Sequence, residues 1–121
     1  MKAMRIALLG VLILLSTGLA AEEQRPPWLS DEVMAAAMAI GLTSEQMAPF
    51  RECVTDFLES YRDQARRLLR RGAAGLEGQI KRLRNSLARE MDGRMATFLT
   101  EDQMVRYEDY RKALLDSLER R

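Results

Sequence analysis

Few residues in this chain have side chains suited to catalysis. The sequence contains no histidine, the residue most often used as a general base. Its one cysteine, Cys53, has no imidazole to activate it as a nucleophile and no second thiol to complete a paired-cysteine metal motif. Glu59 and Asp63 are four residues apart, a spacing more typical of a solvated helix face than of an acid–base pair. The residue types therefore argue against an enzyme and predict no catalytic residue and no cofactor.

The methionines are the remaining candidates for metal binding. Met34 and Met38 form one i, i+4 pair, and Met91 and Met95 form another. Thioethers bind Cu(I), and Cys53 can add a thiolate. Methionine more often fills a core or an adaptable apolar surface, however. Because neither pair is accompanied by histidine or a second cysteine, we favour packing over a Cu(I) site and predict no metal ligands.

Charge is distributed unevenly although the chain as a whole carries only +1. Residues 65–89 contain eight basic residues and one acid, Glu77, whereas residues 21–64 carry −6 and residues 90–121 carry −2. Two interpretations stay open. The basic side chains either solvate helix backs and pair with acids elsewhere, or form a positive surface for acidic partners, unfolded chains or anionic headgroups. The candidate binding residues are Arg66, Arg67, Arg70, Arg71, Lys81, Arg82 and Arg84.

The N-terminal segment has the order of a secretory signal peptide. Lys2 and Arg5 precede an apolar run over residues 6–15, and small residues follow. The run is too short for a membrane span, so we predict a signal peptide over residues 1–20 that is cleaved after export, with an uncleaved anchor as the alternative. The polar, proline-ended residues 21–27 then form a flexible tether. Because the protein is predicted to be exported and is nearly neutral, we predict no nucleic-acid partner.

Residues 28–121 are predicted to form one all-α domain. Alanine, leucine, methionine, glutamate and arginine dominate, and no alternating strand pattern occurs. Ser30 caps a first short helix, which reaches about Ile40 and stops at Gly41.

The second and fourth helices begin with segments of the same pattern, L-T-x-x-Q-M: LTSEQM in the second and LTEDQM in the fourth. With threonine as the N-cap, glutamine occupies the third helical position, where side chain and backbone bond reciprocally in a capping box. The leucine and the methionine then occupy the two positions of a hydrophobic staple. The repeated residues are Leu42, Thr43 and Gln46 in the first copy and Leu99, Thr100 and Gln103 in the second.

Apolar residues three or four apart give each long helix one narrow stripe. The stripe of the second helix includes Leu68 and Leu69, and Cys53 lies beside it, either buried or paired between chains. Glycines 72, 75 and 78 indicate a turn, so the second and third helices are expected to form a long hairpin. Because four thin stripes make a small core, we also predict a homodimer.

An exported, all-helical chain with two L-T-x-x-Q motifs resembles the Spy/CpxP family of bacterial periplasmic proteins. The resemblance covers about residue 28 to the C-terminus and rests on Leu42, Thr43 and Gln46 and on Leu99, Thr100 and Gln103. It implies four helices in a thin, cradle-shaped antiparallel dimer located in the periplasm. Here the motif itself is explained as helix capping and not as a binding site.

The resemblance implies three functions within one family. Some members are ATP-independent, holdase-type chaperones or stress-response proteins that bind unfolded or misfolded envelope proteins on a basic and apolar face. Others regulate sensor kinases by binding their periplasmic domains. Related members are heavy-metal sensors or resistance proteins that depend on histidine, which this chain lacks. We therefore rank the chaperone first, the regulator second and the metal sensor third.

Overall fold

The computed structural model describes residues 26–72 and 74–119. The all-α prediction is confirmed, because these residues form four α-helices and no strand. A 3₁₀-helix, Pro27–Leu29, precedes them, and the four helices are α1 (Asp31–Ala39), α2 (Ser44–Arg71), α3 (Leu76–Met95) and α4 (Glu101–Glu119). The predicted signal peptide, most of the predicted tether, residue 73 of the predicted turn and the last two arginines lie outside the described residues.

Side-chain caps define the starts of the first two helices. The Ser30 hydroxyl accepts a hydrogen bond from the Val33 amide at 3.3 Å. At the start of α2 the Thr43 amide donates to Gln46 Oε1 at 2.9 Å, and the Gln46 amide donates to Thr43 Oγ1 at 3.3 Å. This is the reciprocal pattern of a capping box, which satisfies two donors that the helix itself leaves unpaired. Gly41, between the helices, adopts φ of +74°, a conformation that favours glycine.

The described chain divides into two compact units. The first combines the residues up to Ala48 with those from Glu101 onward, and within it α4 packs against α1 and the 3₁₀-helix. Its buried side chains include Val33, Ile40 and Leu114, each at most 1% exposed. This small core is therefore built from segments at opposite ends of the sequence.

The second unit is Pro49–Thr100, which contains most of α2 and all of α3. Its buried apolar side chains are Phe50, Cys53, Phe57, Leu87, Ala88, Met91, Met95 and Leu99. Leu69 departs from its predicted stripe and is 57% exposed. Since Leu68 and Leu69 point about 100° apart around a helix, both cannot lie on one narrow face. Gly78 lies inside α3, so the turn is shorter than the glycine pattern predicted.

Candidate functional site

Six of the seven candidate binding residues are exposed around the turn between α2 and α3. Arg66, Arg67, Arg70 and Arg71 lie in the last two turns of α2, and Lys81 and Arg82 lie near the start of α3. Arg84 is different, because it is only 6% exposed and its Nη1 donates to the Tyr61 hydroxyl at 3.4 Å. The structure thus separates Arg84 from the exposed basic set.

A groove of about 400 Å³ lies beside this turn and brings three of the exposed arginines together. Its lining contains three guanidinium groups, two amides, one hydroxyl, two leucines and no acid: Gln64, Arg67, Leu68, Arg71, Gln79, Arg82, Leu83 and Ser86. We call it the arginine groove. Arg66, Arg70 and Lys81 do not line it.

The arginine groove is positioned by matching helix faces. The four residues from α2 are spaced i, i+3, i+4 and i+7, and so are the four from α3. This spacing places side chains on one face of a helix. The two faces also share the sequence pattern Q-x-x-R-L, which occurs at Gln64 to Leu68 and at Gln79 to Leu83. This repeat is the sequence signal that identifies the uncharged lining residues of the groove, which the charge pattern alone does not indicate.

The charges of the arginine groove are not neutralised locally. Within residues 26–72 and 74–119, the side chains of Arg67, Arg71 and Arg82 make no ion pair and no hydrogen bond. Gln79 is already engaged, since its Nε2 donates to the Ala74 carbonyl at 3.2 Å. The groove can therefore offer the donors of its three arginines to an anion, with Leu68 and Leu83 as apolar contacts.

A second cleft, of about 300 Å³, lies elsewhere on α2 and α3 and is lined by Cys53 and Arg94 among others. Arg94 Nη1 donates to Asp56 Oδ2 at 2.7 Å, and Arg94 Nη2 lies 4.0 Å from Glu52 Oε1. Cys53 is free and only 3% exposed. Burial raises the pKa of its thiol, and the charges of Glu52 and Asp56 raise it further against the opposing charge of Arg94. This neutral thiol is not an activated nucleophile.

The raised pKa of Cys53 predicts a stability difference that depends on pH. We compare the wild type with Cys53→Ala by urea denaturation between pH 7 and pH 10. Because the folded state favours the neutral thiol, the stability that Cys53 contributes is fully present below the pKa of an unfolded cysteine, about 8.5. It should decline as the pH rises through the higher folded-state pKa. Other alkaline titrations are common to both proteins and cancel in the difference. A difference that stays constant or grows with pH would contradict the assignment.

The glutamines of the two L-T-x-x-Q copies contact each other in the first unit. Gln46 Nε2 donates to Gln103 Oε1 and Gln103 Nε2 donates to Gln46 Oε1, both at 2.8 Å. Gln103 Nε2 also donates to the Gly41 carbonyl at 3.0 Å, and the Gln103 residue is only 7% exposed. The pair joins the start of α2 to α4, so the first unit uses these motif residues for structure.

Metal and membrane signals are absent from the part of the chain that the structure describes. Its cysteine, aspartate and glutamate side chains form no group of three or more that could hold a metal ion. The predicted methionine pairs differ in environment, since Met91 and Met95 are buried while Met38 is 79% exposed. None of the helices in the described residues combines the length and the apolar character needed to cross a membrane.

Comparisons with known proteins identify no relative. No protein-family model matches the chain, and neither a curated protein nor a solved structure matches it significantly. The function of the chain must therefore be inferred from its sequence pattern and from the geometry of the arginine groove.

Proposed function

We propose that the protein is a periplasmic, ATP-independent, holdase-type chaperone that captures unfolded or misfolded envelope proteins. The observation that supports this most directly is the arginine groove, where unneutralised guanidinium groups of Arg67, Arg71 and Arg82 lie beside Leu68 and Leu83. An unfolded chain exposes acidic and apolar side chains together. A surface with both characters can attract it by charge and retain it by apolar contact.

The basic residues outside the groove extend this surface. Arg66, Arg70 and Lys81 are exposed, and Leu69, which precedes Arg70 in α2, is 57% exposed. Fixed positive charge of this density accelerates the encounter with acidic chains in a way that salt weakens. A holdase needs neither a nucleotide site nor a catalytic residue, which agrees with the chain's lack of histidine and of a Gly-rich phosphate loop.

The proposal includes a location and an assembly. The order of charge, apolar run and small residues in residues 1–20 supports export through a cleaved signal peptide. We further propose that α2 and α3 form a long hairpin and that two copies associate as a cradle-shaped antiparallel dimer. Met38 and Val105 are 79% and 67% exposed and are therefore accessible to a second copy of the chain.

Client capture is tested by light scattering of an aggregating, denatured protein with and without this chain. The change is Arg66, Arg67, Arg70 and Arg71 to serine, which removes four exposed charges from the end of α2. The wild type should suppress aggregation near one dimer per client, less well at high salt. The variant should require about tenfold more protein for the same suppression, because several kT of attraction is lost.

The matched control removes four exposed charges elsewhere: Arg51, Arg62, Arg106 and Lys112 to serine. It should retain most of the suppression, since its positions lie outside residues 65–89. Equal loss in the two variants would show that only net charge matters. No suppression by the wild type would overturn the chaperone proposal and direct attention to a sensor-kinase domain as a specific partner. The predicted dimer is tested by the molar mass of the protein alone, measured by static light scattering.

A further inference from the structure

We propose that the arginine groove is also a receptor for a phosphomonoester headgroup, and that it seats this chain on an anionic membrane surface. The inference goes beyond client capture and does not depend on it. The proposal rests on one observation: three arginines from two helices line a single groove that no acidic residue lines. They are Arg67, Arg71 and Arg82.

The number of charges favours a compact dianion. A phosphomonoester carries about −1.5 to −2 at neutral pH and three acceptor oxygens. Guanidinium groups bind such oxygens in a planar, bidentate manner that lysine does not reproduce. Within the described residues none of the three guanidinium groups has a competing ion pair or hydrogen bond. A phosphate could thus bind the three guanidinium groups without displacing a protein partner from any of them.

The surroundings of the groove favour a lipid over a free phosphate. Leu68 and Leu83 line the groove itself, and Leu69, the next residue along α2, is 57% exposed. A soluble phosphate ester would leave these side chains unused, whereas an interfacial lipid brings glycerol and acyl groups close to them. Arg66, Arg70 and Lys81 are exposed outside the groove and would add the general attraction of basic residues to an anionic surface.

Two matched triple variants separate the groove from the general charge. Arg67→Gln, Arg71→Gln and Arg82→Gln remove the three groove cations, and Arg66→Gln, Arg70→Gln and Lys81→Gln remove three exposed cations outside it. All six positions are exposed, so both proteins should fold, which circular dichroism checks. Binding is measured by cosedimentation with phosphatidylcholine vesicles that contain phosphatidic acid. Parallel vesicles contain phosphatidylglycerol, a phosphodiester, at matched zeta potential.

The full chain should bind the phosphatidic-acid vesicles about tenfold more tightly than the phosphatidylglycerol vesicles, because only the monoester offers three free oxygens. The groove variant should lose this preference entirely. The outside variant should bind both vesicles more weakly, by about fivefold per charge removed, and keep the preference.

Four results would overturn the proposal. Equal affinity of the wild type for the two vesicles would exclude a phosphomonoester site. Equal loss in the two triple variants would reduce the groove to part of a diffuse positive surface. Binding of soluble glycerol 3-phosphate without binding to vesicles would assign the groove to a free phosphate ester and not to a membrane. A chain that suppresses aggregation but binds no vesicle keeps the chaperone function and loses this inference.

Discussion

Replacing Leu114 with alanine is expected to lower the free energy of unfolding by about 2–5 kcal/mol, the range for truncating a fully buried leucine. Leu114 is 0% exposed and lies in α4, which packs against α1 and the 3₁₀-helix. Alanine is at least as good a helix former as leucine, so the loss would come from lost burial and a residual cavity. Small domains are stable by only about 5–15 kcal/mol, so this one change should remove a large fraction of the total.

The matched control is Leu69→Ala in α2, where the same atoms are removed from a side chain that is 57% exposed. Its effect should stay within about 0.5 kcal/mol, as is usual for surface positions. Both variants are compared with the wild type by urea denaturation, followed by circular dichroism at a helical wavelength. Similar losses at the two positions would mean that Leu114 is not part of a tightly packed core.

The local features of the fold could be predicted because their causes are local. Ser30 lies three residues from the amide that it caps, and Thr43 and Gln46 are likewise three apart. Gly41 needs only its own positive φ to end the first helical segment. Because both partners in each of these interactions lie within a few residues of each other, the sequence alone predicts them.

The burial of Arg84 could not be predicted in the same way. A basic residue within a basic segment predicts exposure, since charges are seldom buried without a partner. Its hydrogen-bond acceptor, the Tyr61 hydroxyl, lies 23 residues away on another helix. Only the packing of α2 and α3 within the second unit brings the two together. Leu69 shows the opposite case, because a stripe drawn through adjacent leucines is wider than one helix face.

The arginine groove is an intermediate case. Its Q-x-x-R-L repeat is present in the sequence at Gln64 and again at Gln79, and each copy alone predicts one helix face. That the two faces line a single groove is a tertiary fact, since residues 72–75 separate the helices. The sequence therefore identified the basic segment, and the structure identified which three of its arginines lie together.

The pairing of Gln46 with Gln103 leads to the second large expected effect. A capping box accounts for the glutamine of the first L-T-x-x-Q copy, but it does not account for the reciprocal bonds between two glutamines separated by 57 residues. Gln103→Ala removes a side chain of a residue that is only 7% exposed and withdraws a donor from the Gly41 carbonyl. A typical hydrogen bond contributes about 0.5–1.5 kcal/mol net, and this variant loses the bond to Gly41 and those to Gln46, so we expect a loss of about 1–3 kcal/mol.

A double-mutant cycle isolates the contact from the cap. Gln46→Ala should cost about 1–2 kcal/mol, since it removes both the capping-box acceptor for the Thr43 amide and the bond to Gln103. Because the two amides share their bonds, the double variant should be more stable than the sum of the single losses predicts, by about 0.5–2 kcal/mol. Thr43→Ala removes the hydroxyl acceptor without touching the amide pair, so its coupling to Gln103→Ala should be near zero. Coupling is measured from urea denaturation midpoints and slopes. Additive losses for Gln46 and Gln103 would show that the 2.8 Å pair contributes no net stability.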